Sequence, residues 1–276
     1  MRPLRLALSG SGFKVPAHVG ALQAVADAGF EPVELAGTSG GSIVAAMAAC
    51  RMKLSDMKML ALTFDWSNML SFSLMSAVRL RGFCDGRRLL DWLTEQTNGL
   101  TFGQLSTDLT VVASDVASEA PFEFSRATTP GVAVAQAVRA STSIPFAFEP
   151  VRLGAALLAD GGMVNNIPVD RLKVDGVPRL GVQLVSQDLP MQPDTSLSPF
   201  GFSERLIDLM LSACESTHVS AAQAAGAHMA FVETGYASTL DRTMPLELRQ
   251  RLFNDGYDAA KAALALIAAP APTTLQ

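Results

Sequence analysis

One serine of the chain lies among glycines, in the run Gly37-Thr38-Ser39-Gly40-Gly41. These residue types at this spacing indicate a catalytic nucleophile. Apolar residues 32–36 precede this run and apolar residues 43–50 follow it, which predicts a strand, a sharp turn and a helix. In the G-x-S-x-G nucleophile elbow, such a turn presents the serine hydroxyl to a substrate carbonyl. Gly37 and Gly41 lack a Cβ atom, so the turn can be tight. The same residues also fit a glycine-rich connection whose serine only caps the helix.

A second glycine-rich loop, Ser9-Gly10-Ser11-Gly12-Phe13-Lys14, lies between a predicted strand and a predicted helix. Several backbone N–H groups of such a loop face one concavity, which suits an anion. Val15 occupies the last position of a dinucleotide-binding fingerprint, and the P-loop sequence is absent. An oxyanion hole for acyl transfer needs only N–H donors beside a nucleophile. A plain glycine-rich turn is the alternative.

A carboxylate is predicted at the end of a short strand, where Asp160-Gly161-Gly162 follows apolar residues 157–159. A lone D-G-G is usually a turn. Beside a serine nucleophile, however, it offers the base that the hydroxyl needs. The rival is a Ser-Asp-His triad, because His218 and His228 follow in the required chain order. His218 is predicted within a helix and His228 near a helix end, so neither has the context of a catalytic loop.

The motifs together resemble the patatin-like phospholipases, which are lipid acyl hydrolases with a Ser-Asp dyad on an α/β fold. Residues 8–14 and 17–20 are similar to the family's oxyanion loop, residues 37–41 to its elbow, and residues 160–162 to its D-G-G/A element. Other similar segments are residues 111–115, 140–145 and 165–168. The segments stand in the family's order within residues 4–190, and the rest of the chain resembles the family weakly.

The resemblance implies a role for each site residue. Ser39 attacks an ester carbonyl, Asp160 takes its proton and passes it to the leaving alcohol, and water then releases the fatty acid. The oxyanion is held by the backbone N–H groups of Gly10, Ser11, Gly12, Phe13 and Lys14. Lys14 either neutralises the oxyanion or a lipid phosphate, or is a solvated lysine, and His18 packs against the loop or orients it. Because aspartate is a weak base at neutral pH, we expect the site to raise the pKa of Asp160 by partial desolvation.

The loop departs from the family's pattern at Ser11 and Val15, where the family usually has glycine. A positive φ at either residue would cost about 1 kcal/mol or more and would reshape the loop. A competing hypothesis from another class is therefore a non-catalytic lipid-binding or regulatory module. The retention of both Ser39 and Asp160 argues against it.

Residues 64–83 combine apolar and basic side chains, and we predict that they form a mobile lid that meets a lipid surface. A buried helix is the alternative. The apolar residues are Phe64, Trp66, Met69, Leu70, Phe72, Leu74, Met75, Val78, Leu80 and Phe83, and the basic residues near the end are Arg79, Arg81, Arg87 and Arg88.

Strand-like and helix-like runs alternate along the chain, which predicts a three-layer α/β fold, patatin-like, with a mostly parallel central sheet and helices on both faces. The predicted strands are residues 4–9, 32–36, 109–114, 122–125, 157–159 and 180–185, the last of which closes the sheet. The predicted helices are residues 17–28, 39–51, 132–140, 203–225 and 246–267, and residues 54–97 are helical with loops. We expect one domain over residues 1–276, with a C-terminal helical region at about 203–268.

Composition argues against several other classes of protein. A net charge of −5 without a long Lys/Arg run argues against nucleic acid as a partner. The three cysteines lack C-x-x-C spacing, which predicts buried thiols, and no metal or other cofactor is expected. No run approaches the roughly 20 apolar residues of a membrane span, and the N-terminal apolar segment is too short for a secretory signal. We therefore predict a cytoplasmic protein with peripheral contact at the inner membrane surface, acting on phospholipids, lysophospholipids or other fatty-acyl esters.

Overall fold

The centre of the molecule is an eight-stranded mixed sheet, seen in a computed structural model that describes residues 1–69, 84–185, 209 and 218–268. The strands are β1 (Arg2–Leu8), β2 (Phe30–Thr38), β3 (Asp108–Asp115), β4 (Ala120–Phe124), β5 (Val151–Leu153), β6 (Ala156–Asp160), β7 (Arg179–Val185) and β8 (His228–Glu233). The helices are α1 (Val15–Asp27), α2 (Ser39–Ala49), α3 (Leu54–Thr63), α4 (Arg87–Gln96), α5 (Val134–Ser141) and α6 (Leu246–Ala268). Residues 218–224 are also helical.

The strands are hydrogen bonded in the order β5-β6-β3-β2-β1-β7-β8, in which β6 and β2 pair with successive parts of one edge of β3, and β4 pairs with the other edge. The pairs β1–β2, β2–β3, β1–β7 and β7–β8 are parallel, whereas β3–β4, β3–β6 and β5–β6 are antiparallel. This arrangement confirms the predicted mostly parallel sheet.

Strands β2 and β6 meet end to end along one edge of β3. Thr38, the last residue of β2, pairs with Val112, and Asp160, the last residue of β6, pairs with Ala113. The other edge of β3 is taken by β4 over the same residues. Because β6 runs antiparallel to β3 and β2 runs parallel to it, the ends of β2 and β6 face each other. The register therefore brings two distant parts of the chain to one point.

Apolar residues lie on both faces of the sheet. Leu6 and Leu35 belong to a large core that also contains apolar residues of α1, α2 and α6. Their neighbours Ala7 and Ala36 point the other way, into a smaller core that includes Ala222 from the helical residues 218–224. Successive side chains of a strand alternate between faces, so each face receives its own cover.

Helices α1 and α6 pack backbone to backbone through two glycines. A Cβ atom on Gly20 would lie 1.9 Å from the carbonyl oxygen of Phe253, and one on Gly256 would lie 1.9 Å from that of Ala17. Such distances leave no room for any side chain at either position. Among the described residues, no helix is both long and apolar enough to cross a membrane.

The sheet extends further than the sequence analysis predicts. Residues 180–185 do not close it, since β8 pairs in parallel with β7 beyond them, and β5 is a further strand that was not predicted. His228 accordingly begins a strand, four residues after the end of the helical residues 218–224. Methionine and alanine in residues 228–233 have weak strand preference, and pairing with β7 overrides it. Of the predicted C-terminal helices, 246–267 coincides with α6, whereas residues 203–208 and 210–217 lie outside the described part.

Candidate active site

Ser39 stands at the turn between β2 and α2 with a backbone φ of +48°, in the left-handed region that few residues with a side chain adopt. The turn is possible because its flanking glycines lie against backbone. A Cβ atom on Gly37 would lie 2.7 Å from the Cα of Ser42, and one on Gly41 would lie 2.3 Å from the carbonyl oxygen of Ser9. The strained serine between two necessary glycines is the geometry of a nucleophile elbow.

The hydroxyl of Ser39 donates a hydrogen bond to the carboxylate of Asp160, with an Oγ–Oδ2 distance of 2.6 Å. The other carboxylate oxygen, Oδ1, accepts a bond of 2.8 Å from the N–H of Gly162. The backbone of Asp160 is fixed as well, since its N–H donates to the carbonyl of Ser143 at 3.0 Å and its carbonyl accepts from the Ser114 hydroxyl at 2.6 Å. The carboxylate is therefore held at the serine from several directions.

Burial raises the pKa of Asp160 from 3.8 to about 6, because desolvation disfavours its charged form. The hydrogen bonds from Ser39 and Gly162 act in the opposite direction and are the smaller effect. At neutral pH the group is still mostly ionised and can accept a proton. This increase in the pKa of Asp160 agrees with the desolvation that the sequence analysis expects.

Neither histidine of the rival triad contacts the pair. Nδ1 of His218 is hydrogen bonded to Oδ1 of Asn165 at 2.9 Å, and His228 lies at the start of β8. No hydrogen bond joins either ring to Ser39 or Asp160 in the described part of the chain.

His18 is fully buried beneath the first glycine-rich loop, and its Nε2 lies 2.8 Å from the carbonyl oxygen of Ser9. Burial lowers the pKa of His18 to about 4, because desolvation disfavours the imidazolium. The neutral ring must then carry its proton on Nε2 to donate this bond. His18 thus ties α1 to the first residue of the loop, as expected for an orienting residue.

The first loop lies directly against the elbow. A Cβ atom on Gly10 would lie 3.6 Å from the Cβ of Ser39, and one on Gly40 would lie 3.2 Å from the backbone N of Gly12. Three of the five proposed oxyanion donors already have acceptors: Gly10 donates to Asn166 (2.9 Å), Phe13 to Thr239 (3.0 Å) and Lys14 to Ser11 (3.0 Å). The N–H groups of Ser11 and Gly12 have no acceptor within the described part of the chain.

The departures from the family's glycine pattern carry no backbone strain. Neither Ser11 nor Val15 has a positive φ, and Val15 is simply the first residue of α1. The left-handed position of the loop is Gly12, with a φ of +53°. A side chain there would also strike the carbonyl oxygen of Thr239, at 2.1 Å from its Cβ. The loop keeps glycine at the one position whose conformation requires it.

Lys14 is buried and is not a solvated lysine. Only 2% of the residue is exposed, and its Nζ donates to Oγ1 of Thr234 at 3.1 Å. Thr234 directly follows β8, so this bond connects the end of the loop to the strand that the sequence analysis did not predict.

Ser141, the last residue of α5, is a site residue to which the sequence analysis gave no role. Its hydroxyl accepts a hydrogen bond of 2.9 Å from the N–H of Ser39 and donates one of 2.5 Å to the carbonyl of Val112. The strained elbow is thereby fastened to both α5 and β3. The available signal was the family-like segment 140–145, which shows no chemistry by itself.

An apolar pocket opens beside Ser39. Its walls come from the first loop, α2, α4 and the segment after α5, and its lining residues are Gly12, Phe13, Ser39, Gly40, Ile43, Trp66, Met69, Leu89, Thr142, Ile144 and Phe148. The pocket offers apolar contacts next to Ser39, such as a hydrocarbon chain requires.

The predicted lid begins in this wall. Trp66 is only 4% exposed, and its ring packs against Phe13, Phe64 and Trp92 at centroid distances of 5.8, 4.9 and 5.3 Å. This first part of the lid is therefore packed, as in the alternative prediction. Residues 70–83 lie outside the described part of the chain, so the lid as a whole stays a prediction.

A serine at a strained strand-to-helix turn of an α/β sheet, hydrogen bonded to a buried carboxylate, is the arrangement of a serine hydrolase site. A model of the patatin-like phospholipase family matches residues 6–173. The chain therefore belongs to the patatin-like phospholipase family.

Relatives in sequence come from bacteria and a virus. The uncharacterized protein YqhO of Bacillus subtilis is 28% identical over 237 residues, which cover 77% of this chain and 81% of that protein. The uncharacterized protein R571 of Acanthamoeba polyphaga mimivirus is 27% identical and covers 78% of this chain and 77% of its own length. An uncharacterized NTE family protein of Mycobacterium tuberculosis, Rv1063c, is 28% identical over 164 residues, or 44% of its length.

Solved structures share the fold at low sequence identity. VipD from Legionella pneumophila superposes with a TM-score of 0.64 at 18% identity, over 96% of this chain and 67% of that one. ExoU of Pseudomonas aeruginosa, in its complex with SpcU, has a TM-score of 0.52 at 19% identity, and the match spans 51% of that chain. These neighbours confirm the predicted patatin-like α/β fold.

Proposed function

We propose that this protein hydrolyses fatty-acyl esters of lipids through a Ser39–Asp160 dyad and an acyl-enzyme intermediate. Family membership supports a lipid acyl hydrolase in general. The observation that carries the finer proposal is the 2.6 Å contact between the Ser39 hydroxyl and the Asp160 carboxylate, at the mouth of an apolar pocket.

In the first half-reaction, Oγ of Ser39 attacks the carbonyl carbon of the ester while Oδ2 of Asp160 takes the hydroxyl proton. The negative charge that forms on the carbonyl oxygen is stabilised by the N–H groups of Ser11 and Gly12. The ester C–O bond then breaks, and the alcohol leaves with the proton from Asp160. The fatty acyl group stays on Oγ, with its chain in the pocket.

In the second half-reaction, water attacks the acyl carbon and gives its proton to Asp160. The bond between the acyl carbon and Oγ breaks, Asp160 returns the proton to Ser39, and the fatty acid departs. A pKa of about 6 suits both transfers, because a base is most effective when its pKa lies near the working pH.

The test measures labelling by a fluorophosphonate probe together with hydrolysis of p-nitrophenyl esters and of phospholipids with one and two chains. We expect the wild type to be labelled on Ser39 and to hydrolyse at least one ester class, and Ser39→Ala to show neither activity. Asp160→Asn should lose hydrolysis by about a hundredfold or more, as expected for removal of a general base.

The matched control is His218→Ala, which removes a histidine outside the dyad. Full activity of this variant is expected. If it abolishes hydrolysis in a folded protein while Asp160→Asn does not, the triad is correct and the dyad is wrong. An unlabelled, inactive but folded wild type would instead support the lipid-binding module.

A further inference from the structure

Phe146 occupies a tight turn in a conformation that a phenylalanine rarely adopts. The N–H of Ala147 donates to the carbonyl of Ile144 at 3.1 Å, which closes a four-residue turn with Pro145 and Phe146 at its centre. Phe146 has a φ of +68°, and proline precedes it, as in a type II turn. Glycine or asparagine is favoured at that third position, because a bulky side chain is strained there.

The side chain of Phe146 is also exposed, whereas the residues two positions before and after it are buried. Phe146 is 52% exposed, whereas Ile144 and Phe148 are 9% and 6% exposed. Both of these neighbours line the apolar pocket beside Ser39. The turn therefore places one large aromatic side chain in solvent, between two residues of the chain that line the pocket.

Folding alone does not account for this residue. A ring with half its surface in water contributes less to stability than a buried one, and the turn itself would form better with glycine or asparagine. Backbone strain that local packing does not require is characteristic of functional positions. What distinguishes Phe146 is its place at a pocket suited to acyl chains.

We propose that Phe146 is an interfacial anchor, whose ring enters the apolar edge of a lipid assembly and holds the pocket against that surface. The inference rests on the proposed function, since it assumes that acyl chains leave a lipid surface for the pocket. A lipid surface is the occupant that we favour, because the exposed apolar side chain lies in the turn between Ile144 and Phe148, which both line the apolar pocket. Aromatic side chains are typical of such membrane-surface contacts.

The experiment compares Phe146→Asn with a matched control, Phe231→Asn. Phe231 is 44% exposed but lies on β8, at the far edge of the sheet from β6. Sedimentation with equimolar phosphatidylcholine–phosphatidylglycerol vesicles is measured in the Ser39→Ala background, so that hydrolysis does not alter the vesicles. We expect Phe146→Asn to weaken partitioning by about tenfold or more, the loss corresponding to one buried aromatic ring, and Phe231→Asn to leave it unchanged.

Two further measurements, made with Ser39 present, separate anchoring from folding. Phe146→Asn should hydrolyse a soluble short-chain p-nitrophenyl ester at the wild-type rate and should unfold at an equal or higher temperature, since asparagine tolerates a positive φ. Equal vesicle binding by the variant and its parent, an equal loss in Phe231→Asn, or absence of vesicle binding by the parent would overturn the proposal. A lower unfolding temperature with slower ester hydrolysis would also overturn it, as the mark of a structural residue. If the wild type hydrolyses neither a soluble ester nor a phospholipid, the proposed function fails, whatever the vesicle result.

Discussion

In the proposed mechanism, Asp160 combines two properties that oppose each other: it is buried, and its charged form acts as the base. Burial raises its pKa to about 6, so the carboxylate loses its proton only slightly below neutral pH. Burial lowers the pKa of His18 to about 4, so His18 stays neutral around pH 6, where Asp160 changes its charge. The dyad should therefore have a simple dependence on pH.

We predict that the rate of fluorophosphonate labelling falls as the pH drops through about 6, since protonated Asp160 cannot accept the hydroxyl proton. Below that value the rate should decrease about tenfold per pH unit, and above it the rate should be constant. The measurement is the labelling rate between pH 5 and 8, with circular dichroism as a check on folding. A rate independent of pH in a folded protein would contradict the assignment of Asp160 as base.

The same group should make the fold less stable at neutral pH. The pKa of Asp160 is about 6 when folded and 3.8 in the unfolded chain, so the folded state binds more protons between those values. The contribution of Asp160 to stability then decreases as the pH rises through this window, by up to about 3 kcal/mol at about 1.4 kcal/mol per unit. His18, whose pKa is lowered, contributes with the opposite sign, but it does so equally in the wild type and in an Asp160 variant. We predict that Asp160→Asn is more stable than the wild type at pH 8, by up to that amount.

Urea denaturation of the two proteins at pH 8 and pH 4 measures this difference. The advantage of the variant should disappear at pH 4, where the wild-type carboxyl is mostly protonated in the folded state. A variant that is less stable at pH 8 would show that the hydrogen bonds of the carboxylate outweigh its desolvation.

Single residues were predictable from the sequence to the extent that their chemistry is local. Ser39 is marked by the glycines around it, and Asp160 by the glycines after it. Ser141 could not be predicted, because an ordinary serine at a helix end gains its role only from the strand and turn packed against it. Likewise, the acceptors that occupy the N–H groups of Gly10 and Phe13 come from residues 166 and 239, far along the chain.

At the scale of elements, the site depends on where β2, β6 and α5 end. The first two strands meet along one edge of β3, and α5 places Ser141 over the junction. The hydroxyl oxygen of Ser141 accepts a hydrogen bond from the backbone N–H of Ser39 in the strained elbow. Its loss would leave a buried N–H unpaired.

We predict that Ser141→Ala lowers kcat by about tenfold, because the elbow is no longer held in its strained conformation, and that it lowers the free energy of unfolding by about 1–3 kcal/mol. Ester kinetics and urea denaturation measure the two effects. The control is Thr97→Val, which removes a buried hydroxyl that donates to the carbonyl of Leu93 in α4. It should lose stability without losing rate, and a Ser141→Ala variant that behaves in the same way would refute a positioning role.

Elements with strong local patterns were predicted well. The strand, turn and helix around Ser39 follow from an apolar run, glycines and a second apolar run, and α6 follows from helical periodicity. The edge strand β8 was not predicted because its apolar stretch is short and includes poor strand formers, so that its pairing with β7 decides its structure.

At the scale of the whole molecule, the contact between α1 and α6 joins the C-terminal part of the chain to the site. Gly256 lies against the carbonyl of Ala17, and the next residue, His18, holds the start of the first loop through Ser9. The packing of α6 against α1 is therefore connected, through Ala17 and His18, to the geometry of the first loop.

We predict that Gly256→Ala lowers the free energy of unfolding by about 1–3 kcal/mol, because the new methyl group would force the two helices apart. Alanine is the better helix former by about 1 kcal/mol, so an uncrowded site would give the opposite sign. Urea denaturation shows whether the substitution lowers the free energy of unfolding, as crowding predicts, or raises it, as helix propensity alone predicts. Gly131→Ala is the control, since nothing lies within 4 Å of its added Cβ, and it should be neutral or slightly stabilising.

The glycine contact between α1 and α6 also bears on how the protein is divided for experiments. The stretch that the family model recognises stops at residue 173, yet β7, β8 and α6 all come later. A fragment ending at residue 173 would lack α6. It would therefore expose the face of α1 that α6 covers and would lose the packing next to His18, which holds the first loop through Ser9. We therefore expect that residues 6–173 do not fold by themselves, and that the proposed site depends on a helix outside the matched range.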